Sequence, residues 1–272
     1  MAMIDIGDAE IHVETHGDGF PVFLVAGLGG RGAFWAQQVK PFAEHLQVIL
    51  HDHRGTGSST PGLQVSGVEQ MADDLVLVMQ ALGIERAHLV GHSTGGAIGQ
   101  HIALKRPELL DRLVLSCSWA GPDAYFEQLF HMRRQILIDS GPEAYISIGN
   151  FLGTPSSYLQ PQIASDQGFL SQRLAAFPGL EVELSRIEAV LSHDLRDQLH
   201  RITRPTLCIG ARDDQITPPG FTREMSELIH GAELELLEHG GHFCPISAAA
   251  VYNPIVLDFL TRQRHPPSRK EE

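Results

Sequence analysis

Gly91-His92-Ser93-Thr94-Gly95 sets a hydroxyl between glycines, directly after the apolar run at residues 87–90 and directly before the helix-like stretch 97–104. A G-x-S-x-G turn between strand and helix lifts its serine to the top of a sheet, since glycine tolerates the tight backbone and leaves room around the hydroxyl. Ser93 is the candidate nucleophile. A serine hydroxyl is weakly nucleophilic at neutral pH, so it needs a base within hydrogen-bond reach and an acid to orient that base.

Residues 234–237 read as a strand that runs into Glu238-His239-Gly240-Gly241-His242. A histidine after two glycines can swing its ring toward a neighbouring loop, which makes His242 the expected base and leaves His239 a surface residue at the strand end. Residues 205–210 form a second buried-strand pattern and empty into Ala211-Arg212-Asp213-Asp214-Gln215-Ile216-Thr217-Pro218. Either aspartate could orient the histidine. Asp214 is preferred because Pro218 fixes the loop on its side, and Asp213 is then expected to be a solvated loop charge. The order Ser93, Asp214, His242 is that of the α/β-hydrolases and not of the trypsin-like or subtilisin-like proteases.

A glycine-rich segment, Gly27-Leu28-Gly29-Gly30-Arg31-Gly32, follows the strand-like residues 21–26. With Asp52 further on, it also satisfies the dinucleotide-binding fingerprint, so a nicotinamide-dependent oxidoreductase is the rival from another class. An apparent hairpin of residues 10–15 and 22–26 before the loop counts against that reading, as does the Ser-Asp-His series it leaves unused. In the hydrolase reading the backbone N–H groups of Leu28 and Thr94 form the oxyanion hole. His51-Asp52-His53 abuts Arg54, a poor neighbour for a cation, so no metal and no cofactor are expected.

These residues need a scaffold, and the pattern supplies one. Strand-like runs near 47–51, 87–90, 112–116, 205–209 and 233–237 alternate with helix-like segments such as 69–82, which predicts an α/β fold with a mostly parallel central sheet covered by helices on both faces. Between 120 and 203 the strand signal vanishes. Phe126, Leu129, Phe130 and Arg133, then Leu184, Ile187, Val190, Leu191, Leu195, Leu199 and Ile202, recur at helical steps. The expected organisation is a core of residues 1–119 and 204–264, a helical cap at 120–203 and a frayed tail at 265–272. A cap there overlies the carboxyl ends of the strands, where it shapes a pocket and excludes water. Trp119 flanks that pocket, and Arg133, Arg134 and Arg173 are the cap cations placed to hold a substrate carboxylate.

Composition narrows the classes further. The 272 residues carry a formal charge of −13, which disfavours nucleic acid and anionic membranes as partners. The three cysteines suit buried reduced thiols. No apolar stretch is long enough to span a bilayer, and the first residues lack a basic region followed by an apolar one, so a cytoplasmic location is the expectation.

Taken with Asp52-His53-Arg54-Gly55-Thr56-Gly57-Ser58, these motifs give a chain that resembles the α/β-hydrolase superfamily over nearly its whole length. Within it the chain is most similar to 3-oxoadipate enol-lactone hydrolases and the aminoacrylate hydrolase of pyrimidine degradation, whose Gly-Leu-Gly-Gly loop and Arg-Gly-Thr-Gly turn recur here. It departs from the superfamily's common His-Gly pair at the oxyanion loop, where Ala26 takes the histidine's place.

The resemblance implies a cofactor-independent serine hydrolase acting on a small ester, enol-lactone or amide/carbamate-like metabolite through an acyl-enzyme, with a small molecule as its partner and a homodimer compatible with the reading. It equally admits the C–C bond hydrolases and cofactor-free haloperoxidases of the same fold. From another class it admits a small-ligand receptor without turnover. Activity is expected to fall in acid, as histidines ordinarily take up a proton near ~6.5.

Overall fold

The computed structural model describes residues 1–62, 67–165 and 169–262; the tail expected at 265–272 lies outside them. An eight-stranded sheet runs through the centre in the order β1-β2-β4-β3-β5-β6-β7-β8. Its strands are β1 (Ala2–Asp5), β2 (Glu10–His16), β3 (Pro21–Val25), β4 (Gln47–His51), β5 (Ala87–His92), β6 (Leu110–Ser116), β7 (Thr206–Ala211) and β8 (Glu233–Leu237). β1 and β2 pair antiparallel, as do β2 and β4, and every pairing from β4 onward is parallel. β5 and β6 are buried at every position, as strands covered on both faces must be.

The helices are α1 (Ala36–Ala43), α2 (Val68–Ala81), α3 (Thr94–Lys105), α4 (Ala124–Gly153), α5 (Ser156–Ala164), α6 (Phe169–Ala175), α7 (Leu180–Ser192), α8 (Pro219–Leu228), α9 (Cys244–Ser247) and α10 (Ala249–Thr261). Two apolar clusters divide the core. One includes Phe23, Leu75, Ile98, Leu113, Trp119 and Ile187, and the other Leu24, Trp35, Val48, Leu207, Tyr252 and Phe259. Among the described residues no helix is long and apolar enough to cross a membrane.

The expected hairpin of residues 10–15 and 22–26 does not form. β2 pairs with β1 and β4, and β3 lies on the far side of β4, joined to it in parallel through Val22 and Val48. The reason lies in the side chains. Val22, Phe23, Leu24 and Val25 are all buried and need cover on both faces, whereas β2 alternates between buried and accessible positions and suits a place near the sheet edge.

The segment between β6 and β7 contributes α4 to α7. The chain inside α4 breaks at Gly141 (φ 80°) ahead of Pro142, so its two halves are separate helical runs. The apolar repeat read through Ile202 overran its helix. α7 stops at Ser192, His193 is extended, and the Leu195 amide donates to the Ala120 carbonyl at 2.8 Å, tying the end of the insertion to its start.

At the elbow the backbone packs against backbone. A Cβ added at Gly95 would lie 2.2 Å from the Val25 carbonyl oxygen, and one at Gly91 would lie 2.1 Å from the Gly95 carbonyl oxygen. Gly95→Ala is therefore expected to push α3 off β3 and to destabilise the fold by on the order of 3 kcal/mol. Thermal unfolding would register this as a fall of about 10 °C in Tm. An unchanged Tm would show that the close approach is not needed.

Candidate active site

Ser93 follows β5 and opens α3 with φ 53°, one of two non-glycine residues at positive φ among the described residues. The other is Cys117 (φ 47°), directly after β6. The two strained positions are neighbours. The Ser93 amide donates to the Ser116 carbonyl at 2.8 Å, and the Ser118 hydroxyl donates to the Ser93 carbonyl at 2.9 Å. Backbone strain of this kind persists only where surrounding bonds hold it, and here residues 116–118 supply them.

The acid is anchored at the residue between Ser116 and Ser118, Cys117. Thr217 Oγ1 lies 3.0 Å from the Cys117 carbonyl oxygen and 2.9 Å from Asp214 Oδ2, two acceptors for its single hydrogen. Asp214 Oδ1 accepts the amide hydrogens of Ile216 at 2.8 Å and Thr217 at 2.9 Å. This leaves Asp214 Oδ2 for His242 Nδ1, at 2.9 Å, with Thr217 Oγ1 at 3.1 Å from the same nitrogen. Asp214 and His242 are both buried.

The imidazole is thereby held with Nδ1–H toward the carboxylate and Nε2 as its free acceptor. Among the described residues no hydrogen bond joins the Ser93 hydroxyl to His242, and apo geometry of this sort often tightens only when substrate binds. The His92 and His242 rings do meet, with centroids 4.8 Å apart. His92 stacks on Phe34 at 4.6 Å, and burial together with the nearby His242 holds it well below the ordinary histidine range, so it stays neutral beside the site.

Asp213 is not the solvated charge expected of it. Its carboxylate accepts the Gly241 amide at 2.8 Å and the Gly240 amide at 3.2 Å, clamping the turn that carries His242. Gly240 (φ 146°) and Gly241 (φ 62°) adopt backbone that other residues avoid, so this turn needs an external fastening. Asp213→Ala leaves two amides unpartnered and is expected to lower kcat about tenfold with little change in KM, from a loss of on the order of 1–2 kcal/mol in loop order. Steady-state kinetics on any turned-over ester checks this; a variant with wild-type kcat would show that the clamp does not act on the site. His239 is exposed, as the sequence suggested.

The Thr94 amide stands at the first position of α3, where no intrahelical acceptor exists, and Leu28 follows the glycine that touches the elbow. A Cβ at Gly27 would lie 3.1 Å from the Ser93 Cβ, so the loop after β3 runs directly over the serine. The dinucleotide reading loses its acid here. Asp52 accepts the amides of Gly32 and Ser58, each at 2.9 Å, and is spent on joining two loops of its own chain. His51 and His53 stack at 5.0 Å, and burial lowers His51 to about 4.

Beside the residues singled out from the sequence, the inserted helices bring Arg186 to the loop after β3. Trp119 is fully buried against Phe126 at 5.1 Å and His193 at 5.4 Å, a core position. Arg133 is buried on α4, its guanidinium 3.2 Å from the Tyr145 hydroxyl, which donates to Glu183 at 2.6 Å. Arg134, one helical step round, is exposed and joins none of these contacts. Arg173 bonds Asn150 and lies over the Phe243 ring at 5.3 Å. Arg186, given no role from the sequence, reaches the Leu28 carbonyl at 2.7 Å.

Cys117 and Cys244 are buried free thiols with sulfurs 3.5 Å apart. The Cys244 contact and burial hold the Cys117 thiol well above the ordinary range, which leaves it inert as a nucleophile.

A profile described as alpha/beta hydrolase fold matches residues 21–249. A relative from Azorhizobium caulinodans, named as a RutD carbamate hydrolase, is 37% identical over 253 residues, covering 93% of this chain and 96% of its own. An enol-lactonase from Burkholderia xenovorans superposes with a TM-score of 0.86 at 25% identity, covering 96% of this chain and all (100%) of the other. MGS-M2, an alpha/beta hydrolase from a deep-sea metagenome, reaches a TM-score of 0.90 at 20% identity over 98% of this chain and 100% of its own, which speaks to the fold alone. With its elbow after β5, its acid after β7 and its histidine after β8, the chain belongs to the alpha/beta hydrolase fold family.

Proposed function

We propose that this hydrolase is a cofactor-independent serine enzyme that cleaves a small ester, enol-lactone or amide/carbamate-like metabolite through an acyl-enzyme. The observation that carries the reading is the 2.9 Å bond between Asp214 Oδ2 and His242 Nδ1, anchored through Thr217 to the Cys117 carbonyl, between the two residues that hold the Ser93 backbone. Ser93 Oγ attacks the carbonyl carbon while His242 Nε2 takes its proton. The oxygen that becomes negative meets the Leu28 and Thr94 amides. His242 then returns the proton to the leaving group, and a water activated by the same nitrogen releases the acyl group.

The helices between β6 and β7 serve as the cap over this site. The RutD name of a relative and the enol-lactonase among the similar folds support carbamates and lactones as the compounds to try after simple esters. The test is steady-state hydrolysis of p-nitrophenyl acetate, followed by lactones and carbamates, beside a folded Ser93→Ala variant. Turnover that disappears in the variant upholds the reading. Turnover that survives the substitution, or a wild type inactive on all three classes, overturns it.

A further inference from the structure

The loop after β3 is fastened unevenly by its own neighbours. Its far end is well held: the Gly30 carbonyl accepts the His53 amide at 2.7 Å and the Thr56 hydroxyl at 2.9 Å. Its near end, Gly27 and Leu28, follows Ala26, whose side chain can donate nothing. One local bond holds it, from the Gly30 amide to the Gly27 carbonyl at 2.9 Å, and the rest of its support comes from across the molecule. Arg186 on α7 donates through Nε to the Leu28 carbonyl at 2.7 Å and through Nη2 to the Gly27 carbonyl at 3.4 Å and His53 Nδ1 at 3.0 Å.

We propose that Arg186 is a positioning residue for the oxyanion hole: by gripping the carbonyls of Gly27 and Leu28 it aims the Leu28 N–H at the substrate oxygen above Ser93. Peptide geometry makes the connection. In a trans peptide the Gly27 carbonyl and the Leu28 N–H point in opposite directions from one rigid plane. The Gly27 oxygen is held from two sides, by the Gly30 amide at 2.9 Å and by Arg186, so the Leu28 N–H is turned the other way. The Leu28 oxygen, fixed by Nε, sets the next plane as well. A guanidinium suits this task because its donors lie in one rigid fork and reach both carbonyls at once.

Arg186 is itself held rigidly. It is 4% exposed, and Glu183 on the same helix supplies a compensating charge. His53 offers an unprotonated Nδ1 to it, and burial with the Arg186 charge keeps that ring neutral, well below the ordinary histidine range. Space around the fork is tight as well, since a Cβ on Gly30 would come within 2.8 Å of Arg186 Nη2. One residue thus couples the seating of α7 to the readiness of the oxyanion hole.

The inference rests on the serine-hydrolase reading, and its test separates the two. Arg186→Met keeps the length and apolar bulk but removes every donor, whereas Arg186→Lys retains a donor for the Leu28 carbonyl. On p-nitrophenyl acetate, which carries no anion for an arginine to bind, Arg186→Met is expected to lose about 10- to 100-fold in kcat with KM within about threefold. Inhibition by a methyl trifluoromethyl ketone, whose serine adduct presents an oxyanion, should weaken by the same factor. Arg186→Lys should recover most of both losses.

Hydrogen exchange read by mass spectrometry gives an arm independent of activity. Arg186→Met should speed exchange in peptides covering 26–32 and leave those covering 206–217 unchanged. Unaltered exchange at 26–32, or kcat within twofold of wild type, overturns the proposal. A loss confined to KM for carboxylate-bearing esters also overturns it, making Arg186 a substrate ligand instead. Failure of the serine reading looks different: Ser93→Ala would retain turnover, while the exchange result would still decide what Arg186 does to the loop.

Discussion

Ser93→Ala is expected to reduce kcat on a turned-over ester by on the order of 10⁴- to 10⁶-fold while leaving the fold intact. The size follows from the division of labour around the elbow. In the proposed mechanism, removing Oγ removes the atom that would form the acyl-enzyme, so His242 and Asp214 have nothing left to activate and their contribution is lost with it. What survives on that reading is binding and the proposed oxyanion donors, the amides of Leu28 and Thr94, worth a residual acceleration of about 10³-fold over water. The Ser93 backbone keeps its bonds to Ser116 and Ser118 whatever its side chain, and alanine at φ 53° is no larger than serine, so Tm should move by no more than a few degrees. A burst of p-nitrophenol in the wild type that is absent in the variant is the sharpest check. A variant with a burst would place the nucleophile elsewhere.

Asp214→Asn is expected to lower kcat by about 10⁴-fold, and the bonds around the carboxylate say why. Oδ1 accepts two amide hydrogens, from Ile216 and Thr217. An asparagine must turn its carbonyl oxygen to those amides, which points its NH₂ at His242 Nδ1. Nδ1 then has to accept, the ring proton moves to Nε2, and the nitrogen proposed to take the Ser93 proton can no longer act as a base. Asp213→Ala, by contrast, loosens a turn without inverting the tautomer and loses only about tenfold. Nitrogen-15 shifts of the His242 ring in the two variants distinguish the mechanisms: a proton found on Nε2 in Asp214→Asn confirms the inversion, and one retained on Nδ1 rejects it.

The parts of this site legible in the sequence are those written into a local pattern. Ser93 lies where an apolar run meets paired glycines, Asp214 where one empties into a loop ahead of Pro218, and His242 where one meets Gly240 and Gly241. Each can be read within ten residues. What the sequence did not disclose depends on pairs far apart in the chain. Asp213 finds its acceptor role 27 and 28 residues away at Gly240 and Gly241, Thr217 reaches Cys117 across 100 residues, and Arg186 reaches Leu28 across 158.

The pairing of β2 with β4 was missed for the same reason, since turn-like residues between β2 and β3 speak only of their neighbours. Arg133 and Arg134 show the limit of residue type alone. Both are cations on one helix, and only the turn of that helix decides which one is buried.

The parallel contact of β6 with β7 has a consequence in polymer terms. These strands are in register from Leu113 with Thr206 to Ser116 with Ile209, although residues 117–205 intervene. Closing a chain of that length raises the entropic cost of bringing the strands together only logarithmically, by about 0.6 kcal/mol for each doubling. Because the Leu195 amide meets the Ala120 carbonyl, the two ends of the excursion already lie side by side. Lengthening, shortening or exchanging the helices between them is thus a small perturbation to the sheet, and selection can rewrite that insertion while the strands that carry Ser93, Asp214 and His242 stay as they are.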